Sequence, residues 1–333
     1  ELPVIKKTKT GYSTNIEVLE KLRTKHPIIN KIVEYRQLMK LKSTYVDGLF
    51  NVIDKETKKV HSSFNQTITT TGRISSTEPN LQNIPTRTEE GRELRKVFTA
   101  ENEDYVLIDA DYSQIELRVL AHLSNDENLI KAFKDNEDIH TKTASEVFKV
   151  KEEEVTSLMR SRAKAVNFGI VYGISDYGLG RDLGIPRKEA KVYIENYLAY
   201  YEKVEDYMKD IIKKGKKDGY VETYFQRRRY IPELESRNFN IRSFGERVAL
   251  NTPVQGTAAD IIKKAMVNVY NKLKKQNMKS RLILQVHDEL IIEAHKNEVK
   301  EVEKLLKEEM ENVVNLKVHL DVDMNTGVSW YEA

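Results

Sequence analysis

The stretch YVLIDADYSQIE, residues 105–116, decides how this chain of 333 residues is read. Tyr105 to Asp109 (YVLID) is a run of apolar, β-favouring residues ending in a carboxylate, the pattern of a buried strand. Ser113-Gln-Ile-Glu116 then has the spacing of a capping box, which predicts a helix over Gln114 to Leu123. Asp109 and Asp111 stand two apart at the junction, and side chains two apart share one face of a strand. Working outward, Arg281 to Ala294 repeats the theme: LILQV, then His287-Asp288-Glu289, then LIIEA, two buried strands around an acidic turn. If these strands join the first in one antiparallel sheet, Asp288 meets Asp109 or Asp111, and the residues alone do not choose between the two. A single carboxylate at either place reads as a helix cap or a polar turn. Two held close together repel unless a cation lies between them. Mg²⁺ suits such a pair, because it binds through one or two carboxylates and keeps waters and substrate phosphate oxygens. Two such ions about 3.5 to 4 Å apart clamp the attacking and leaving oxygens of an in-line displacement.

Between these stretches, Arg160, Lys164, Phe168 and Tyr172 recur every fourth residue and so form a slowly drifting stripe on a helix, with a step of about 6 Å. Two cations followed by two aromatics match a nucleotide, phosphates at one end and base at the other. A basic amphipathic helix with core aromatics explains the same spacing. Gly169 and Gly173 each cost about 1 kcal/mol against Ala in a helix interior. They are expected to let a planar base approach the backbone.

The rest of the chain has neither repeats nor low-complexity tracts. Apolar residues from Asn15 to Leu49 predict two amphipathic helices interrupted at Pro27. Residues 60–90, rich in Thr and Ser with Asn and Gln between them, suit extended ribbon and loop. Residues 126–270 read as mostly helical, with breaks at Gly184–Pro186 and Gly215–Gly219 and a hairpin from Tyr220 to Ile231 carrying Arg227, Arg228 and Arg229. With 39% hydrophobic and 32% charged residues the chain is globular, and no apolar run approaches the roughly 18 residues of a spanning helix. The absence of cysteine excludes disulfides, zinc-thiolate sites and thiol catalysis. The net charge of +3 conceals an uneven distribution. Residues 1–60 hold thirteen Lys/Arg against seven Asp/Glu, and residues 296–333 five against nine; solvated helix faces account for either. There is no leader-like segment, and a start at Glu1 rather than Met is the mark expected of a fragment or a processed product.

Three segments in order resemble motifs A, B and C of the family A DNA polymerases: Asp-Tyr-Ser-Gln-Ile-Glu (111–116), Arg-x3-Lys-x3-Phe-Gly-x2-Tyr-Gly (160–173) and Gln-Val-His-Asp-Glu (285–289). The likeness continues through TGRISSTEPNLQNIP (71–85) and NTPVQGTAAD (251–260), and it is to the C-terminal polymerase region of a bacterial member. It implies an α+β, right-hand polymerase fold with an antiparallel palm sheet, helical fingers and a truncated helical thumb. The expected division is a thumb remnant at 1–50, palm at 51–122, fingers at 123–250 and palm again at 251–333. By resemblance, Asp111 and Asp288 are the metal-binding carboxylates, helped by the carbonyl of Tyr112, which leaves Asp109 a structural part. Arg160, Lys164 and His140 grip the triphosphate, and Lys164 is the candidate general acid for pyrophosphate. Phe168 packs on the nucleotide, Tyr172 stands at the templating position and Gln114 belongs to the dNTP site. Glu116 serves both as the last member of the capping box and as the group that excludes a ribose 2'-hydroxyl. Phe at position 168, rather than Tyr, implies discrimination against dideoxynucleotides.

The implied reaction is attack of a primer 3'-hydroxyl on the α-phosphorus of a dNTP, with two Mg²⁺ ions or Mn²⁺ as substitute. The partners are primer-template DNA and dNTPs. Such an enzyme must accept every Watson-Crick pair, so it probes the minor-groove acceptors that all pairs share. Arg73, Gln82, Asn83, Arg247, Asn251 and Gln255 supply donors at matching positions, and His287 touches the primer terminus. A cytoplasmic, nucleoid-associated bacterial monomer without membrane, proofreading or 5'-nuclease parts is expected. Two other readings stand beside this one: a non-catalytic primer-template-binding fragment, and a single-subunit RNA polymerase, which Glu116 and Phe168-Gly169 fit less well.

Overall fold

The computed structural model describes residues 2–86 and 88–333. They form two compact units, residues 2–65 with 76–86 and 88–97, and residues 66–75 with 98–333. In the first unit Asn15 caps the helix Ile16–Leu22 by accepting from the Val18 N–H at 3.1 Å. After Pro27, the helix Ile28–Lys40 runs on through a π-helical turn, Leu41–Val46, into Asp47–Asn51. Val18, Leu19, Leu22, Ile29 and Val33 make a small core; Leu19 and Leu22 are on the face that the apolar spacing predicts, whereas Ile16, Ile28, Tyr35 and Leu38 of the same spacing are exposed. The Ser/Thr-rich stretch is the expected ribbon and loop, with Ser63–Asn65 paired to Ser75–Thr77, and hydroxyls hold it: Ser62 and Ser76 share a hydrogen bond of 2.7 Å, and the Tyr45 hydroxyl donates to the Asn83 carbonyl.

The second unit is built on four antiparallel strands, β1 (Tyr105–Tyr112), β2 (Arg281–Val286), β3 (Glu289–His295) and β4 (Val322–Gly327), in the order β4-β1-β3-β2. Strand β1 is central, and it runs three positions past the expected end at Asp109, through buried Ala110 and exposed Asp111 to buried Tyr112. Its register sets Asp111 opposite Glu289 on β3 and opposite Asp323 on β4. Four helices carry the site: α1 (Ile115–Ser124), α2 (Ile139–Phe148), α3 (Ser157–Val171) and α4 (Phe239–Lys275). Ile108, Ala110, Leu117, Leu120, Val166, Ile261 and Ile292 belong to one continuous core of strands and helices, which fixes the sheet against α1, α3 and α4.

One expected feature differs. The helix Glu202–Asp218 runs through Gly215 and stops at Gly219, whose φ of +76° needs a glycine. Gly215 is a packing position, because a Cβ there would stand 3.0 Å from Leu234 and 3.2 Å from Val221. The hairpin that follows forms as expected, with Tyr220–Glu222 paired to Arg228–Tyr230. Among the described residues no helix is long and apolar enough to cross a membrane.

Candidate active site

The end of β1, the β2–β3 turn and helices α1, α2 and α3 enclose an open cavity of about 480 Å³. Asp111 and Tyr112 contribute to it from β1, and His287 and Asp288 from the turn. The Tyr112 N–H donates to the Asp288 carbonyl at 3.2 Å, carrying the β1–β3 ladder out to the hairpin tip. Only His287 and Asp288 separate the paired Val286 and Glu289. His287 accepts the positive φ, +50°, that two-residue hairpin loops favour. Gln285 Nε2 donates to its carbonyl at 2.5 Å. The two acidic segments therefore meet, with Asp111 on the cavity wall. Asp109 is buried opposite Ile291 and Asn325 and lies outside that wall. The Tyr112 hydroxyl donates to the Met310 carbonyl at 2.7 Å, so this residue presents its backbone to the cavity.

Burial pushes the Asp288 carboxyl above the usual carboxylate range, and Arg73 opposes that only in part. A site that disfavours its own negative charge gains from a bound cation. Asp111 and Asp288 offer oxygen donors, which suit a hard divalent cation. Among the described residues no group of three or more His, Cys, Asp or Glu is placed to hold a metal ion.

The capping box does not form. Gln114 is the N-cap of α1, in the left-handed region at φ 54°, and its side chain makes no capping bond. The Ser113 carbonyl instead accepts from Arg118 Nε at 2.8 Å. Glu116 turns into the cavity, where it accepts from Arg73 Nη2 and from the Tyr172 hydroxyl, each at 2.7 Å. A charge-assisted bond to a guanidinium outcompetes one to a backbone N–H. Burial pushes the Glu116 carboxyl up, and Tyr172 and Arg73 counter it.

The helix stripe is as the spacing predicts. Thr156 caps α3, and Arg160, Lys164, Phe168 and Tyr172, the last at its C-cap, all line the cavity together with Gln114, Ile115, Glu116 and His140. The two glycines have another cause than base approach. A Cβ on Gly169 would stand 2.7 Å from Ile174, and Gly173 turns the chain at φ +65° against Leu250 and Arg247. Both serve the turn that ends α3.

Sequence reasoning missed Asp138 and Asn167. Asp138 grips Arg160 with both oxygens, at 2.6 and 3.2 Å, and caps α2 through the N–H groups of His140 and Thr141. Burial opposes its charge, yet Arg160, Thr141 and the two N–H groups hold its pKa down to about 2. Its N-cap slot before Ile139 was the available signal. Asn167, fully buried, meets His140 Nδ1 at 3.0 Å and accepts from Thr143 at 3.1 Å. Burial pushes His140 down to about 4, so its imidazole is neutral at pH 7. Its ring packs 5.9 Å from that of Phe168.

Arg247, Asn251 and Gln255 lie one turn apart on α4. Asn251 donates to Gln255 at 3.2 Å, and Gln255 reaches the Tyr172 hydroxyl. Gln82 and Asn83 lie in the first unit, on the 3-10 turn Leu81–Asn83.

A family model described as DNA polymerase family A matches residues 1–332. DNA polymerase I of Bacillus subtilis (strain 168) is 60% identical over 332 residues and that of Geobacillus stearothermophilus 57% over 333. Each match takes in 100% of this chain, which spans 38% of the length of these relatives. The solved POL domain of Pol1 from M. smegmatis, in complex with DNA primer-template and dNTP, matches with a TM-score of 0.94 and 48% identity, covering 100% of this chain and 59% of that one. The α+β polymerase fold implied by the motifs is thus the fold of this chain.

Proposed function

The chain belongs to DNA polymerase family A, and from that premise we infer that it adds dNTPs to a primer 3'-hydroxyl under the direction of a template, releasing pyrophosphate. The observation that carries this reading is the convergence of Asp111, from β1, and Asp288, from the β2–β3 turn, on one cavity with Arg160 and Lys164 of α3. With four templates that differ only at the first unpaired base, each should support incorporation of its complementary dNTP alone. Incorporation indifferent to that base would contradict template direction.

Family A DNA polymerases depend on divalent metal ions. Here Asp111, Asp288 and the Tyr112 carbonyl would hold Mg²⁺, two ions in this reading, with Mn²⁺ able to replace it. When bound, the metal supplies charge neutralisation at the reacting phosphate and a more acidic primer hydroxyl. The chain's own groups do the rest. Arg160 exchanges its grip on Asp138 for triphosphate oxygens, and neutral His140 offers them an N–H. Lys164 gives a proton to the departing pyrophosphate. Phe168 packs on the nucleotide beside Gln114, and Tyr172 holds the templating place until the base arrives. Arg73, Gln82, Asn83, Arg247, Asn251 and Gln255 donate to minor-groove acceptors, and His287 meets the primer end. The division at 1–50, 51–122, 123–250 and 251–333 into thumb, palm, fingers and palm belongs to this reading, as do a monomeric state and a bacterial cytoplasmic, nucleoid-associated setting.

Glu116 sits between Arg73 and Tyr172, where a ribose 2'-hydroxyl would displace a buried, doubly bonded carboxylate. Glu116→Ala should therefore raise ribonucleotide incorporation by about 5- to 150-fold relative to dNTP, the scale of a buried polar contact of about 1–3 kcal/mol. Unchanged sugar preference in a competition assay would remove Glu116 from this role. DNA affinity should be independent of sequence and fall by about 10³-fold or more between 50 and 200 mM salt, as several phosphate contacts require. A flat titration would contradict phosphate-dominated binding.

A further inference from the structure

Arg73 is the cavity residue with the least obvious support. It lies in Gln66–Ser75, a ten-residue segment that packs within the second unit although the residues on both sides of it belong to the first. The segment closes on itself through Thr69, whose hydroxyl donates to the Arg73 carbonyl at 2.6 Å and whose carbonyl accepts from the Gly72 N–H at 3.3 Å. That turn needs an external anchor if the guanidinium of Arg73 is to meet Glu116 at 2.7 Å.

The anchor is visible beneath Gly72. Arg227, in the hairpin after Gly219, lies so close that a Cβ on Gly72 would stand 2.7 Å from its Nε and 2.9 Å from its Cζ. Gly72 has φ +81°, so both its backbone and its missing side chain suit the contact. A flexible arginine would ordinarily yield to a neighbour, but this one is pinned. Asp260 Oδ1, on α4, accepts from Arg227 Nε at 2.9 Å and from Nη2 at 2.6 Å. Its Oδ2 accepts from the Thr223 hydroxyl at 2.8 Å. The Asp260 side chain is 7% exposed, so the carboxylate is held on both oxygens out of solvent. Gly256, one turn earlier on α4, makes room for the same assembly: a Cβ there would stand 2.5 Å from Thr223 Cγ2 and 3.4 Å from the Thr71 carbonyl oxygen. Two glycines from different elements thus admit one close approach of hairpin, helix and Arg73 turn.

We propose that the Arg227–Asp260 ion pair is a positioning device for Arg73, clamping the Thr69–Arg73 turn on α4 so that the Arg73 guanidinium is delivered to Glu116 and the cavity. The inference rests on the reading of that cavity as a nucleotidyl-transfer site, and neither Arg227 nor Asp260 touches the substrates. Catalytic groups must be held to within about 0.5 Å by the shell behind them, and a displacement of about 1 Å can cost 10²-fold in rate.

The first test needs no activity. In hydrogen exchange of the whole chain, Arg227→Ala should speed exchange in residues 66–75 and leave strand β1 protected as in the wild type. Unaltered protection of 66–75 would overturn the proposal. The second is a double-mutant cycle on primer extension. Arg227→Ala should lower kcat/KM for dNTP by about 10 to 100-fold, and the double variant with Arg73→Ala should be no more than about twofold slower than Arg73→Ala alone. Losses that multiply would overturn it, since Arg227 would then act apart from Arg73. Asp260→Asn, which keeps the shape but not the charge of the clamp, gives the same reading if Arg227→Ala does not fold. If Arg73→Ala itself left extension unchanged while Arg227→Ala loosened 66–75, the clamp would stand and the primer-template role given to Arg73 would fall.

Discussion

Asp288→Ala and, separately, Asp111→Ala are each expected to slow single-nucleotide incorporation by about 10³-fold or more, the scale of losing a charge-stabilising group at a phosphoryl-transfer centre. Primer-template affinity should stay within about threefold, because duplex binding comes from phosphate contacts elsewhere. The geometry makes this a clean comparison. The bond that joins the two segments, from the Tyr112 N–H to the Asp288 carbonyl, is a main-chain bond and survives either substitution. The Asp288 carboxyl is pushed up by burial, so its charge is a cost to the folded chain unless a cation is present. Asp288→Asn should therefore leave the metal-free Tm unchanged or raise it while removing activity. A variant that lost stability in step with activity would mark Asp288 as a structural residue, and incorporation kinetics beside a thermal melt separates the two.

Lys164→Ala is the second large effect, expected at about 10² to 10⁴-fold, the usual worth of a positioned general acid. Lys164 stands one turn from both Arg160 and Phe168 on α3 and lines the cavity with them. Charge alone would allow Lys164→Arg to restore the rate; proton donation would not, because a guanidinium gives up its proton far less readily. The discriminating measurement uses dNTP analogues whose β,γ-bridge makes the leaving pyrophosphate more acidic. The deficit of Lys164→Ala should shrink with those analogues. A deficit constant across the series would leave Lys164 as a phosphate-binding charge only.

Much of this was legible before the structure because it depends on strict periodicities. The unbroken apolar runs in Tyr105–Asp109 and on either side of His287-Asp288-Glu289 mark strands of one sheet, and a step of four puts Arg160 to Tyr172 on one face of a helix. What escaped was competition between partners. Ser113 to Glu116 has capping-box spacing, but spacing does not show that Arg73, forty-three residues away, offers Glu116 a stronger bond than the helix N-terminus does. Gly169 and Gly173 invited a functional reading because their cost in a helix is visible in the sequence, whereas Ile174 and Leu250, which account for them, become neighbours only on folding. Asp138 was overlooked for the same reason: a carboxylate before Ile139 looks like any helix cap until Arg160 is seen in its grip. Choosing Asp111 over Asp109 took the motif resemblance, and the fold gives the physical ground, since Asp109 is buried between neighbouring strands and Asp111 emerges at the cavity.

The most direct test of the cavity's proposed role is extension of a labelled primer on a template by the 333-residue chain with Mg²⁺ and the next complementary dNTP, with pyrophosphate counted alongside. The account predicts a primer one nucleotide longer and one pyrophosphate for each addition, both lost when Asp111 is replaced. Retention of the duplex with no extension, or extension that survives Asp111→Ala, would contradict it.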